Sequence, residues 1–123
     1  MQNETQMSDA LVVFDQEEAV SALGDAELLG EMAEVFLSEA DELVEKIRLC
    51  VAESDGASLG LVAHQLKGAA SNFYAERTVE AARRLEHMGQ QNELAGSEQA
   101  LAMLVGESQR LRPELEKIVA SSQ

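Results

Sequence analysis

A histidine, a lysine and a glycine stand close together in the segment AHQLKGAASNF, residues 63–73. His64 is followed at i+3 by Lys67 and at i+4 by Gly68, so in a helix the three lie on one face. A neutral imidazole nitrogen is nucleophilic near pH 7. Lys67 can place an ammonium group beside anything attached to His64, and Gly68 leaves room for a reactant to come close. The spacing therefore indicates nucleophilic chemistry at His64 with an anionic group.

The helix that carries His64 is expected to hold the imidazole in water. At 100° per residue, its apolar residues fall within about 80° of the helix circumference. These residues are Leu59, Val62, Leu66, Ala70 and Phe73. His64 lies about 160° from the middle of this stripe, and Ser71 shares its outward face. The pattern predicts that the imidazole is exposed to solvent in the middle of the helix.

Each of these residues also has an ordinary interpretation. A lone histidine on a helix surface commonly has no function, and Lys67 would then be a solubilising charge. Gly68 favours the chemical interpretation, because Gly inside a helix costs about 1 kcal/mol relative to Ala. Residues 1–63 carry 15 acids and 2 bases, a net charge of −13, whereas residues 64–88 carry 3 acids and 4 bases, a net charge of +1. An anionic group is therefore best tolerated in the segment that begins at His64.

Other chemistries fit the sequence less well. A di-iron bundle needs Glu-x-x-His motifs, but Leu61 and Arg84 stand three residues before the two histidines, His64 and His87. Two histidines without clustered thiols form no usual zinc site, and no Gly-rich phosphate loop is present. We therefore expect no metal and no cofactor on this chain. His87 lies outside the apolar stripe of its helix and is interpreted as a surface residue.

The formal charge of −14 bears on the partners. It would repel a nucleic-acid backbone and an anionic membrane surface, so neither is expected to bind. The sequence contains no signal peptide and no apolar run of about 18 residues. Cys50 is the single cysteine and lies in an apolar helical pattern, which predicts a small core residue. These features indicate a cytoplasmic protein.

Two aspartates mark the starts of the first two predicted helices. Asp15, with Glu18 as a capping box, opens a short helix that ends at Gly24, and Asp25 caps a long helix that ends near Glu53. The apolar positions of this long helix recur at 3- and 4-residue spacing. They are Leu28, Met32, Val35, Phe36, Leu43, Ile47 and Val51.

Three further helices are predicted, over residues 57–72, over residues 75–89 and from residue 97 onward. Pro113 should kink the last helix or restart it. Long amphipathic helices with short connections predict an all-α fold, an antiparallel four-helix bundle with a short additional N-terminal helix. Residues 1–12 are expected to be a flexible segment and residues 13–120 to form the domain.

The stretch His-Gln-Leu-Lys-Gly-Ala-Ala, residues 64–70, resembles the signature His-x-Leu-Lys-Gly-[Ser/Ala]-[Ala/Ser] of histidine phosphotransfer (HPt) domains. Residues 12–47 resemble the usual opening of such domains, where Phe-Asp leads into a short helix, a Gly-Asp turn and a long helix. The segment AARRLEHMG, residues 81–89, is similar to the end of the family's fourth helix. The resemblance extends over residues 12–120, which is most of the chain.

This resemblance implies a function. His64 would be the phosphoacceptor, and Lys67 and Gly68 match the Lys and Gly that follow it in the family. The chain would carry a phosphoryl group between aspartates in a multistep phosphorelay, without kinase activity of its own. The implied partners are response-regulator receiver domains and a hybrid sensor histidine kinase. Mg²⁺ is expected on the receiver domain, not on this chain.

Four more residues are assigned to partner binding or to support of the site. They are Gln65, Ser71, Glu86 and Gln90. Glu86 and Gln90 fall on one flank of the fourth helix and are expected to orient the imidazole for attack by Nε2. One position departs from the family, because many members have Gly ten residues after the histidine and this chain has Tyr74. The departure concerns the backbone at the end of the third helix.

Two other functions stay open at this point. A non-catalytic adaptor would bind a receiver or a kinase with the same bundle, but it would have no use for His64 and Lys67. A structural module that self-associates would need an exposed apolar stripe, whereas each predicted helix has one stripe that is used in the core. A monomeric phosphoryl carrier is therefore favoured.

Overall fold

The computed structural model describes residues 10–122, in which there are five helices and no strand. The helices are α1 at Gln16–Leu23, α2 at Ala26–Ala52, α3 at Gly56–Ser71, α4 at Glu76–Gln91 and α5 at Ser97–Ser121. The predicted all-α class is confirmed.

Aspartates begin the first three helices, and the caps at Asp15 and Asp25 are the two that the sequence predicts. The carboxylate of Asp15 accepts the backbone N–H of Glu18 at 3.0 Å, and that of Asp25 accepts the N–H of Glu27 at 2.9 Å. Asp55 caps α3 in the same way. Each carboxylate satisfies an N–H group that has no partner inside its helix, which fixes where the helix begins.

Helices α2 to α5 form a closed ring. Both α2 and α4 pack on α3 and on α5, whereas no close backbone contact joins α3 to α5 or α2 to α4 within residues 10–122. The start of α2 meets the end of α5, because a Cβ on Gly30 would collide with the side chain of Ser122. With short connections between successive helices, this arrangement is the predicted antiparallel bundle. The short helix α1 lies against α2.

The core is built largely from leucines and alanines around one aromatic cluster. Phe73 is 1% exposed, and its ring centroid lies 6.4 Å from that of Phe14 and 5.3 Å from that of Phe36. Phe73 lies two residues beyond the end of α3, so the end of that helix is anchored in the core.

The prediction of the buried face of α2 was partly wrong. Leu28 and Val35 were assigned to the apolar face, yet they are 39% and 54% exposed. The buried residues of α2 are Leu29, Gly30, Ala33, Phe36, Ala40, Ile47, Cys50 and Val51. Small side chains at three of these positions let neighbouring helices come close, so the stripe does not follow the largest apolar residues.

One helix end differs from the predicted one, and the last helix runs through its proline. Helix α4 continues through Gly89 to Gln91, and Asn92 ends it with a left-handed φ of 53°. Helix α5 is one helix of 25 residues with Pro113 inside it, so no restart occurs at the proline.

Residues 1–9 of the segment expected to be flexible lie outside the described residues. The N–H of Val12 donates to Glu76 Oε1 at 3.1 Å, and its carbonyl accepts the N–H of Arg77 at 3.0 Å. The chain is therefore attached to the start of α4 before α1 begins.

Cys50 is a core residue, as its sequence pattern predicts. It is 8% exposed, and burial, followed by the charges of Asp55 and Glu53, raises the pKa of its thiol. A raised pKa keeps the thiol protonated and unreactive. Separately, none of the helices within residues 10–122 combines the length and the apolar character needed to cross a membrane.

Candidate functional site

His64 lies in the middle of α3 with its side chain 66% exposed. Leu61, one turn before it, is 72% exposed. Gly68 is one turn after it, and a Cβ there would meet nothing within 4 Å. The imidazole is therefore on an open surface between an apolar side chain and bare backbone, in the outward orientation that the helical phase predicts.

One carboxylate joins His64 to Lys67. Glu86 of α4 places Oε2 at 2.6 Å from His64 Nδ1 and Oε1 at 2.7 Å from Lys67 Nζ. The side chain of Glu86 is 9% exposed and that of Lys67 is 28% exposed. Gln90, one turn further along α4, donates from its amide to Glu86 Oε2 at 3.4 Å. Lys67 thus contacts α4, although the sequence pattern placed it on the outward face with His64.

This environment keeps Glu86 ionised. The hydrogen bond from Lys67 lowers the pKa of Glu86 most, burial opposes the shift, and the hydrogen bond with His64 lowers the pKa further. An ionised carboxylate only accepts hydrogen bonds, so its contact with His64 Nδ1 requires a proton on that nitrogen. Nε2, which Glu86 does not contact, then carries the free lone pair. The site can present a neutral imidazole as a nucleophile through Nε2.

Glycines determine how close α4 comes to α3. A Cβ on Gly89 would lie 2.5 Å from the backbone nitrogen of Gly60 and 2.6 Å from the carbonyl oxygen of Gly56. Because Gly89 follows Glu86 by less than one turn, the close approach that it permits also brings the carboxylate to the imidazole. An open cleft of about 610 Å³ lies between the two helices beside His64.

The remaining predicted site residues share the surface around His64. Gln65 and Ser71 are both exposed, and the Ser71 hydroxyl donates to the carbonyl of Gly68 at 2.7 Å. His87 is exposed and is not among the residues that line the cleft beside His64. Direct contacts therefore connect His64, Lys67, Glu86 and Gln90, whereas Gln65 and Ser71 are related to them only by the shared surface.

Tyr74 takes the backbone conformation that glycine adopts most readily. Its φ is 52°, and its N–H donates to the carbonyl of Ser71 at 3.1 Å. The left-handed region costs a side chain such as tyrosine about 1–2 kcal/mol. Glycine would therefore make the turn after α3 with less strain. The turn nevertheless forms with Tyr74 at this position.

Sequence reasoning missed two features of the site. In the sequence, Leu61 served only to exclude a Glu-x-x-His motif. Its exposure next to His64 was not predicted. The pairing of Lys67 with Glu86 was also missed, because the helical phase alone left Lys67 in solvent. The available signal was that Lys67 is a basic residue less than one turn from the face of α3 that meets α4.

The antiparallel four-helix bundle with an exposed histidine in the middle of α3 is the arrangement that the resemblance to histidine phosphotransfer domains implies. The family model described as "Hpt domain" matches residues 31–121, and the chain belongs to this family of histidine phosphotransfer proteins of phosphorelays. The resemblance inferred from residues 64–70 is thereby confirmed.

A solved structure has the same fold. It is the crystal structure of histidine-containing phosphotransfer protein B (HptB) from Pseudomonas aeruginosa PAO1, with a TM-score of 0.80 and 18% sequence identity. The match covers 93% of this chain and 98% of that chain. No sequence among the curated proteins matches this chain significantly.

Proposed function

We propose that this protein carries a phosphoryl group on His64 Nε2 between aspartates of response-regulator receiver domains, with a hybrid sensor histidine kinase upstream. The observation that carries this proposal is the contact of 2.6 Å between His64 Nδ1 and Glu86 Oε2. It leaves Nε2 as the free nucleophilic nitrogen of an exposed ring. Membership of the Hpt domain family supports the same function.

The chemistry needs little more than position and charge. The Nε2 lone pair attacks the phosphorus of an aspartyl phosphate in line, the new P–N bond forms, and the bond from phosphorus to the aspartate oxygen breaks. The aspartate leaves as a carboxylate. The imidazole keeps its proton on Nδ1 and becomes a phosphorylated imidazolium, whose positive charge lies beside the Glu86 carboxylate. Transfer to the next aspartate is the reverse reaction, with the neutral imidazole as the leaving group.

The surface around His64 suits a partner that comes very close. Leu61 offers an exposed apolar side chain on one side of the imidazole, and Gly68 offers bare backbone on the other. Gln65 and Ser71 add polar groups to the same surface. A receiver domain has to place its phosphoaspartate within bonding distance of Nε2, and Gly68 leaves space for it to do so. Mg²⁺ would be held by the receiver, and we assign no residue of this chain to it.

The proposal also covers the oligomeric state and the cellular location of the protein. We propose a monomer in the cytoplasm that has no kinase activity of its own. Three of the exposed large apolar residues of the described chain, Leu28, Val35 and Leu49, lie on one side of α2, where the exposed Glu42 interrupts them. The formal charge of −14 on each copy opposes the pairing of two such surfaces, which supports a monomer. The acidic surface argues against nucleic acid and anionic membranes as partners.

The direct test is phosphorylation by receiver domains. A panel of receivers labelled with radioactive phosphate is mixed with this protein, and the label on this chain is followed under acid and alkaline conditions. We expect label that is lost in acid and kept in alkali, which is typical of a phosphorylated histidine. His64→Gln should abolish the label, and His87→Gln, at the other histidine, should leave it unchanged. Label that survives His64→Gln would refute the assignment of His64.

The same experiment separates the carrier from the adaptor. An adaptor would bind one of the receivers, as measured by calorimetry, without ever acquiring label. Binding without label across the whole panel would therefore favour the adaptor over the carrier.

A further inference from the structure

The ammonium group of Lys67 is already engaged before any phosphoryl group is present. Its Nζ lies 2.7 Å from Glu86 Oε1, and the other oxygen of the same carboxylate contacts His64 Nδ1 at 2.6 Å. Lys67 and His64 therefore contact different oxygens of the Glu86 carboxylate. The side chain of Lys67 is only 28% exposed, compared with 66% for His64. A lysine whose main task was to meet an incoming anion would be expected in solvent.

We infer that Lys67 is a positioning residue that acts on His64 through Glu86, rather than a direct ligand of the phosphoryl group. The inference deepens the proposed function and rests on it only where phosphoryl transfer is measured. Lys67 holds one oxygen of Glu86 so that the other stays on Nδ1. The lysine thereby helps to decide which nitrogen of the imidazole is the nucleophile.

The alternative role has a cost that the geometry makes clear. A Lys67 that turned from Glu86 towards a phosphoryl group on Nε2 would give up its contact with Oε1. A carboxylate that is 9% exposed would then lose the cation beside it, and an uncompensated charge in such a place is strongly destabilising. His64 and Gln90 would be its remaining hydrogen-bond partners. Staying on Glu86 avoids this loss.

The charge on Glu86 also depends on Lys67. Among the influences that lower the pKa of this carboxyl group, the hydrogen bond from Lys67 is the largest, and burial acts against it. Without Lys67, the pKa of Glu86 rises. A protonated carboxyl group can donate to Nδ1, and the imidazole proton is then on Nε2, where it blocks attack. Even an ionised carboxylate that has lost Lys67 is free to rotate away from Nδ1.

The inference can be tested in the unphosphorylated protein, where no phosphoryl group is present for Lys67 to bind. The chain has only two histidines, so a His87→Gln background leaves His64 as the single imidazole. Nitrogen-15 NMR of the imidazole distinguishes a proton on Nδ1 from a proton on Nε2. We expect the Nδ1–H form in this background and a mixture of the two forms after Lys67→Met. Lys67→Arg, which keeps a cation for Glu86, should restore the Nδ1–H form.

Two further variants, one at Lys117 and one at Glu86, serve as controls. Lys117→Met removes an exposed lysine of α5, a helix that has no close contact with α3, and should leave the His64 signals unchanged. In a Glu86→Gln background the single acceptor oxygen of the amide cannot serve Lys67 and Nδ1 together, so we expect the Nδ1–H form to lose its dominance even with Lys67 present. A Lys67→Met protein that folds normally and keeps the Nδ1–H form would overturn the inference.

A kinetic cycle gives an independent result. Lys67→Met should slow transfer from a phosphorylated receiver about ten-fold in the native background, and less than about two-fold in the Glu86→Gln background, because coupled residues are not additive. Equal factors in both backgrounds would show that Lys67 acts on the phosphoryl group directly. If no receiver phosphorylates His64, the proposed function fails, while the NMR measurement still decides the role of Lys67.

Discussion

Two surfaces of α3 use glycine for opposite reasons. Towards α4, Gly60 meets Gly89 so closely that a Cβ on Gly89 would lie 2.5 Å from the Gly60 nitrogen. On the outward surface, a Cβ on Gly68 would meet nothing within 4 Å. The first pair is required by the packing of the chain itself, whereas Gly68 is required by no contact within the described residues. One side of α3 thus holds the imidazole in place, and the other keeps its surroundings open.

The packed side and the open side of α3 meet at the imidazole of His64. Its Nδ1 belongs to the packed side, where Glu86 fixes it, and the rest of the ring is in solvent. A site of this kind combines a precise orientation with free access.

The largest effect is expected for Gly89→Ala. The new Cβ would press on the backbone of Gly60 and of Gly56, which cannot move aside as a flexible side chain can. The two helices must separate, and we expect the free energy of unfolding to fall by about 2–3 kcal/mol. Urea denaturation followed by circular dichroism measures this. Gly106→Ala is the control, because a Cβ on Gly106 of α5 would meet nothing within 4 Å. Equal stability of the Gly89→Ala and native proteins would contradict the close packing of α3 on α4.

A smaller loss is expected for Glu86→Gln, and it should depend on pH. The pKa of Glu86 is lowered in the folded protein, so its charge stabilises the fold above the ordinary pKa of a glutamate. This contribution disappears as the pH falls through the lowered value. We expect Glu86→Gln to reduce the free energy of unfolding by about 1–2 kcal/mol at pH 7. The difference from the native protein should shrink in acid.

Denaturation of both proteins at several pH values measures this dependence. Glu116→Gln, at an exposed position of α5, is the matched control and should show little difference at any pH. A constant difference between Glu86→Gln and the native protein from pH 7 to pH 3 would mean that the charge of Glu86 does not stabilise the fold.

On the open side, Gly68→Gln should raise stability and lower activity. Replacing a helical glycine raises the free energy of unfolding by up to about 1 kcal/mol when the new side chain meets no obstacle. The same side chain crowds the imidazole and should slow transfer from phosphorylated receivers. Gly106→Gln should give a comparable gain in stability with no change in transfer rate. If Gly68→Gln accepted phosphoryl groups at the normal rate, access to the imidazole would not explain why a glycine stands at position 68.

The smallest effect on stability is expected for His64→Gln. The histidine side chain is 66% exposed, and an amide can donate to Glu86 in its place. We expect the free energy of unfolding to change by less than about 0.5 kcal/mol, as is usual for exposed positions. Thermal and urea denaturation measure it. A large loss would show that the imidazole contributes to packing as well as to chemistry.

Local signals in the sequence predicted most of the fold. Asp15 and Asp25 marked helix starts because capping depends on residues that are close in the chain. The outward orientation of His64 followed from helical periodicity alone. Gly89 was misread as a helix end, because a glycine that admits a neighbouring helix and one that ends a helix look alike in sequence.

The inner half of the site was harder to predict. The contact of Lys67 with Glu86 depends on how α3 and α4 are rotated and on how closely they approach, and neither quantity is encoded by spacing within one helix. Val35 was placed on the wrong face of α2 for a related reason. Burial in that helix follows the small residues that admit neighbours, so size and hydrophobicity were misleading there.

The single open side of His64 determines the order of events in a relay of the proposed kind. A donor and an acceptor must both reach Nε2, and they must use the same entrance to do so. Each has to leave before the other arrives, so the steady-state kinetics are of the ping-pong type. Two regulators then compete for one carrier, and an excess of spent donor obstructs delivery to the acceptor. The relative abundance of the regulators thereby controls the flow of phosphoryl groups without any change in the shape of the carrier.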